Sequence, residues 1–258
     1  MCYSTFILYG GFSVFVVGVY FSYHGYHRSM KKQPVAVFDI DGTVYRSSLT
    51  IDLVEKLIDT GVFPKDARKD YEREREKWIR REGDYEAYVN KIVTVFWKHI
   101  KGIPYGTVAD AAGEVIEDRR DRTYRHTRDM VHALKKKGYF LLAVSHSPKL
   151  IVDGFAYELG FDKAYGTLME TGPTGCFTGA GADIHLIGNK ARIVERAVEK
   201  ENLTLERSVG VGDTDSDIPF LEMVATPIAF NPNRRLYDEA KRRKWRVVVE
   251  RKDVIYTL

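Results

Sequence analysis

Three short apolar runs punctuate the chain: PVAVF at residues 34–38, GYFLLAV at 138–144 and RSVGVG at 207–212. Each is continuous rather than alternating and too short for a core helix, as expected of a strand buried on both faces of a parallel sheet. Residues 129–137, 149–159 and 190–201 read as helices lying between or after them. Short strands alternating with helices predict an α/β fold with a doubly wound parallel sheet. In such sheets the ligand site lies beyond the carboxyl ends of the strands.

Residues 48–128 break the alternation. They are rich in charge and in helix formers, and Tyr85, Tyr88, Val89, Ile92, Val93, Phe96 and Trp97 recur at helical spacing. We read this stretch as a helical module inserted after the first strand. The charge runs at 65–84 and 117–129 read as solvated helix faces rather than a docking surface.

The opening of the chain is different again. Residues 1–27 contain no Asp, Glu, Lys or Arg, and Phe6–Ser22 is almost wholly apolar or small. A helix from Cys2 to Tyr23 would span roughly 33 Å, enough for a bilayer core. No basic start or small-residue cleavage site marks a signal peptide. Arg28, Lys31 and Lys32 follow the run, which places the remainder in the cytoplasm by the positive-inside rule. The competing reading is that translation starts at Met30, where MKKQPVAVFDID opens like a soluble domain. The expected organisation is a membrane-anchoring segment at 1–29, a catalytic core from 30–47 and 129–258, and a helical cap at 48–128.

Composition adds exclusions. With 258 residues, 44% hydrophobic and 29% charged, the chain is neither disordered nor fibrous. Two cysteines, Cys2 and Cys176, make no disulfide framework and no zinc pair. A net charge of +4, mixed in sign along the chain, gives no case for a nucleic-acid partner.

The ends of the three runs carry the chemistry. The first ends in Asp39-Ile40-Asp41-Gly42-Thr43. Two carboxylates just past a buried strand are costly unless they meet a cation or a proton, and Gly42 permits a sharp turn and close ligand approach. An ordinary turn is the plainer alternative; a calcium loop would need further ligands and a closing Glu. The second run ends in Ser145-His146-Ser147-Pro148, where a hydroxyl and free amides can hold an anionic oxygen or simply cap the next helix. His146 is a candidate proton donor or a solvent-facing spacer. Lys190 opens a helix, against the dipole, which makes sense if it pairs with carboxylates and phosphate. The third run ends in GDTDSD, 212–217. Its three acids repel unless a hard cation, most simply Mg²⁺, sits among them; helix capping by Asp217 and an exposed filler role for Asp215 are the alternatives.

Taken in order, DxDGT, a strand-end Ser, a helical Lys and GDxxxD resemble the haloacid dehalogenase superfamily of phosphohydrolases. The helical insertion resembles its C1-type cap. The stretches SHSPKLIVDGFAYELGFDKAYGT, CFTG, GNKARIVE, GDTDSDIPFLE and PIAFNPNRRL resemble subclass IB, the phosphoserine phosphatase-like hydrolases, over about residues 34–250. The resemblance implies a Rossmann-like core and phosphomonoester hydrolysis through an aspartyl phosphate. Asp39 matches the nucleophile and Asp41 the general acid/base. Asp39, Asp213 and the main-chain carbonyl of Asp41 match the Mg²⁺ ligands, with Asp217 supporting the metal and pairing with Lys190. Ser145 and Lys190 match the groups that hold the phosphoryl oxygens. Gly42, Thr43 and His146 are expected near the substrate, with Tyr45 and Arg46 as candidate contacts to the leaving group. The expected substrate is a small-molecule or lipid-linked phosphate. Phosphoserine is disfavoured: Ser48 stands where such phosphatases carry a Glu for the ammonium, and Ile92 where they carry an Arg for the carboxylate.

Overall fold

A computed structural model describes residues 32–182 and 188–258. The expected membrane-anchoring segment at 1–29 lies outside them. Among the described residues no helix is long and apolar enough to cross a membrane.

Eight strands form a single sheet in the order β4-β3-β2-β1-β5-β6-β7-β8. They are β1 (Gln33–Asp39), β2 (Phe140–Pro148), β3 (Lys163–Thr171), β4 (Phe177–Ala182), β5 (Leu203–Gly212), β6 (Thr226–Phe230), β7 (Arg246–Arg251) and β8 (Val254–Thr257). The six inner strands are parallel, while β4 and β8 are antiparallel edges. The doubly wound parallel core therefore stands, with two hairpin edges added. Its central strand explains the sequence pattern. Val35 and Val37 of β1 pack into one layer, with Ile193, Val194 and Leu236. Ala36 and Phe38 pack into the other, with Leu53, Val131 and Phe155. Alternating side chains that are all buried produce a continuous apolar run.

Between β1 and β2 lie α1 (Leu49–Asp59), a 3₁₀ turn (Lys65–Arg68), α2 (Lys69–Ile79), α3 (Tyr85–His99), α4 (Tyr105–Arg119) and α5 (Arg125–Lys136). No strand interrupts them among the described residues. The helix expected from residue 129 begins at Arg125 and packs against β2. The remaining α-helices among the described residues are α6 (Lys149–Glu158), α7 (Lys190–Lys200), α8 (Ile218–Leu221) and α9 (Arg234–Arg243), with a 3₁₀ turn at Asp215–Asp217 before α8. From β1 the chain winds outward through β2 to β3 and β4, then returns to β5 beside β1 and winds the other way. The strand order thus reverses between β1 and β5, and a crevice opens there at their carboxyl ends.

Candidate active site

Asp39 is the last residue of β1, beside that reversal. Lys190, the first residue of α7, donates from Nζ to Asp39 Oδ1 at 2.5 Å and to Asp217 Oδ1 at 2.6 Å. Asp39 is 4% exposed, Lys190 3% and Asp217 0%, so water solvates none of these charges to any extent. The positive end of a helix is a poor place for an ammonium; two carboxylates make it tenable. Asn189 caps the same helix by accepting from the Arg192 amide at 3.4 Å. Both oxygens of Asp217 are used, since Oδ2 accepts the amides of Asp213 at 2.9 Å and Thr214 at 3.1 Å. Asp217 thus fixes the loop after β5 and presents Asp213, half-buried, beside Asp39. Thr43 Oγ1 donates to Asp213 Oδ1 at 3.3 Å.

This is one ammonium among several acids. Burial pushes the Asp39 carboxyl up to about 7; Lys190 opposes this, and Asp217 and Asp41 add to it. Burial, with Asp39 and then Asp217, lifts Asp213 well above the ordinary carboxylate range. Burial alone would lower the Lys190 pKa, but Asp217 and Asp39 outweigh it and hold the ammonium firmly charged. Carboxylate oxygens of Asp39, Asp213 and Asp217 lie within 4.8 Å of one another. A cluster of hard oxygen donors carrying more negative charge than Lys190 balances fits a hard divalent cation such as Mg²⁺.

Asp41 stands apart from that cluster. Its Oδ2 accepts from Ser145 Oγ at 2.5 Å and Ser147 Oγ at 2.9 Å, and its Oδ1 accepts from the Leu49 amide at 2.6 Å. The last contact caps α1, whose N-cap residue Ser48 makes no side-chain cap of its own. Ser147 Oγ also accepts from the Thr50 amide at 3.2 Å and lies 2.8 Å from Thr50 Oγ1. The single Ser147 proton goes to Asp41, so Thr50 is the donor in that pair. Ser145 likewise gives its proton to Asp41 and accepts the Ser147 amide at 2.9 Å.

A family model of haloacid dehalogenase-like hydrolases matches residues 36–222, a span that contains Asp39, Asp41, Ser145, Lys190, Asp213 and Asp217. The chain belongs to the haloacid dehalogenase-like hydrolases. It is 32% identical over 141 residues to phosphoserine phosphatase SerB1 of Mycobacterium tuberculosis, a match covering 53% of this chain and 45% of that protein. The chain thus spans about half the length of that relative. It is 26% identical over 223 residues to the histidinol-phosphatase of Neisseria meningitidis, covering 83% of this chain and 97% of that one. The crystal structure of a Bordetella pertussis protein of unknown function has the same fold, with a TM-score of 0.68 and 22% identity over 84% of this chain and 98% of that one.

On this hydrolase scaffold a cleft of about 700 Å³ runs from Gly42 and Asp213 to α2 and α3. Arg46 lines it, as do Tyr85, Tyr88, Trp78 and Tyr124. The other positions expected near substrate are distributed differently. Thr43 is buried; its hydroxyl serves Asp213 and its carbonyl accepts from Thr127 Oγ1 at 2.8 Å. His146 is exposed, on the face of β2 opposite Ser145 and Ser147, and does not line the cleft. Tyr45 is fully buried, edge-on to Phe155, with its hydroxyl on Asp52. Burial and Asp52 raise its pKa and keep the phenol neutral. Tyr45 is therefore a packing residue and makes no contact with a leaving group. Ile92 is core within α3. Asp215 is no idle filler: it accepts from Asn233 Nδ2 at 2.7 Å and Arg235 Nη1 at 3.2 Å. The sequence reading missed Ser147, Thr50, Tyr85 and Tyr124 as neighbours of the site.

Proposed function

We propose that the chain is a Mg²⁺-dependent phosphomonoesterase that acts on a small organic phosphate through an aspartyl phosphate at Asp39. The observation that carries this reading is the buried Asp39–Lys190–Asp217 array beside Asp213, at the carboxyl ends of β1 and β5. The named phosphatases among its relatives support it.

The chemistry follows from the groups at hand. An Asp39 carboxylate oxygen attacks phosphorus, and the bond from phosphorus to the leaving oxygen breaks as Asp41, in its acid form, gives that oxygen a proton. Asp41 then takes a proton from water, the water oxygen attacks phosphorus, and the bond to Asp39 breaks. Free phosphate leaves and both carboxyls are restored. The Lys190 ammonium offsets charge on the phosphoryl oxygens. Asp39, Asp213 and the Asp41 carbonyl would hold Mg²⁺, which supplies positive charge against the repulsion between an anionic nucleophile and an anionic phosphate. Ser145 can meet a phosphoryl oxygen only by turning its hydroxyl away from Asp41.

Helices α1–α4 act in this reading as a cap that excludes water and contacts the organic part of the substrate. Phosphoserine is disfavoured as the substrate in this reading. Ser48 is a buried neutral residue and Ile92 a core residue, so neither supplies the charges an amino-acid phosphate calls for. Residues 1–29 are proposed as a tether to the cytoplasmic membrane face, on composition alone.

The test is phosphate release from 4-nitrophenyl phosphate by the full chain, with and without Mg²⁺, beside Asp39→Asn. Metal-dependent turnover that falls by several orders of magnitude in the variant is expected. Undiminished turnover in Asp39→Asn would sink the nucleophile assignment. A phosphorylated acceptor in place of free phosphate would make the protein a phosphotransferase.

A further inference from the structure

The cleft beyond Asp213 has a distinctive chemistry. Trp78 and Tyr85 lie with ring centroids 5.0 Å apart, and Tyr85 and Tyr88 6.3 Å apart, forming an aromatic wall along α2 and α3. Tyr124 lines the cleft as well, braced edge-on by Phe230 at 5.0 Å and by its amide on the Val44 carbonyl at 3.0 Å. Tyr85 and Tyr124 line the same cleft as Gly42 and Asp213, and the Asp213 carboxylate helps burial raise the pKa of both phenols. They stand where the first atoms of a leaving group must pass.

The charges in the same cleft are sorted. Asp52 is taken up by the Tyr45 hydroxyl and by Arg122 at 3.3 Å. Glu55 is taken up by Tyr71 at 2.7 Å and Arg68 at 2.9 Å. Of the remaining lining carboxylates, Asp213 belongs to the catalytic cluster, and Glu72 is exposed and outside any ion pair among the described residues. Arg46 and Arg75 also line the cleft, are exposed, and make no ion pair among the described residues. Beyond Asp213, an ammonium entering here meets two unpaired arginines, two acids already in ion pairs and the exposed Glu72. A planar ring meets the aromatic side chains of Trp78, Tyr85, Tyr88 and Tyr124, and an anionic substituent meets a guanidinium.

We infer that this cleft is the binding site for the leaving group of a phosphate monoester of an arylmethyl or heteroarylmethyl alcohol that is neutral or carries an acidic group, and that Tyr85, Tyr124 and Arg46 select it. The inference rests on the phosphomonoesterase reading and narrows its substrate class. It also separates this chain from relatives named for phosphoserine and histidinol phosphate, since both of those compounds carry an ammonium.

Two measurements on the full chain test it. The first is calorimetric binding, with Mg²⁺, of phosphonates that cannot turn over: 4-carboxybenzylphosphonate against 2-aminoethylphosphonate. The aryl compound should bind at least about tenfold more tightly, and Tyr85→Leu should remove most of that ratio while Tyr85→Phe keeps it. Arg46→Gln should bring 4-carboxybenzylphosphonate down to the affinity of benzylphosphonate. The second is kcat/KM for 4-carboxybenzyl phosphate against 2-aminoethyl phosphate, two esters of primary alcohols, which should show the same order. Equal or better binding of the aminoethyl compound, or a ratio unchanged in Tyr85→Leu, overturns the inference. Binding of the expected order without turnover would keep the subsite and remove the phosphatase reading; turnover without the preference would do the reverse.

Discussion

Replacing Lys190 with Met tests the electrostatic logic of the site directly. The ammonium lies 2.5 Å from Asp39 and 2.6 Å from Asp217, and none of the three is more than 4% exposed. Methionine has nearly the same length, so packing changes little while two buried carboxylates lose their only ammonium contact among the described residues. Breaking a buried pair in this way costs about 3–5 kcal/mol, against a total stability of about 5–15 kcal/mol for a domain. The cost depends on pH in a definite direction. Asp39 already has its carboxyl raised to about 7 with Lys190 opposing the rise; without Lys190 it rises further. The folded variant then holds a proton that the unfolded chain, titrating near 4, has released. Stability contributed by that proton is present below the unfolded value and is lost as pH rises through the folded one. The loss relative to wild type should therefore be larger near pH 8 than near pH 5. Urea unfolding of metal-free protein at both values, followed by tryptophan fluorescence, measures this as a shift in midpoint at unchanged slope. A loss below about 1 kcal/mol at pH 8, or an equal loss at both pH values, would refute a buried, charge-paired lysine.

Two further outcomes follow from the same geometry. Gly42 has φ +79°, and a Cβ there would lie 2.1 Å from Asp213 Oδ2; Gly42→Ala should both strain the turn, by about 1–2 kcal/mol, and displace Asp213, weakening Mg²⁺ binding by roughly 10–100-fold in a calorimetric titration. In the metal-free wild type, the raised Asp39 carboxyl makes its share of stability decline between about pH 4 and 7. Because Mg²⁺ binds the ionised form, the thermal midpoint gained on adding Mg²⁺ should be larger at pH 8 than at pH 5.

The strands legible in the sequence are those buried on both faces. Val35 to Phe38 and Leu141 to Val144 are wholly apolar because their side chains feed two cores alternately. Lys163–Thr171 and Phe177–Ala182 are hidden from such a reading, since one is half exposed and carries Lys163 and Glu170, and the other holds Gly179 and Gly181. Thr226-Pro227 disguises β6, whereas Val247–Val249 carries the same apolar signal as β1. In the site, spacing within one loop is visible, so Asp39, Asp41, Asp213 and Asp217 stand out. Partnership across loops is not visible: Ser147 and Thr50, 97 residues apart, read as ordinary polar residues until folding sets Ser147 on Asp41 and Thr50 on Ser147. Tyr85 and Tyr88 read alike at helical spacing, yet Tyr88 is buried and Tyr85 only half so.

Those cross-loop contacts also constrain how the cleft can open. The two ends of the helical segment are stitched together, Arg46 amide to Arg122 carbonyl at 2.9 Å and Tyr124 amide to Val44 carbonyl at 3.0 Å. Its far turn, between α3 and α4, is stitched to the β3–β4 hairpin, with Gly102 amide to Phe177 carbonyl at 2.8 Å, Phe177 amide to Ile103 carbonyl at 2.9 Å and Tyr105 amide to Gly175 carbonyl at 2.9 Å. The first amide of α1 is held by Asp41 and the second by Ser147. A swing of α1–α4 as one body would break the hairpin bonds and uncap α1, freeing amides that have no other partner among the described residues. By contrast α2 fully buries only Tyr71; Trp78 packs half-buried on Tyr85, and the helix's exposed ion pairs, such as Asp70–Lys98, contribute little. Low burial marks the segments that open locally at least cost. Access to the cleft is therefore cheapest through α2, which carries Arg75 and Trp78, while α1 stays locked to Asp41. The element that moves would touch the organic part of a substrate, and the element that stays would hold the acid/base in register.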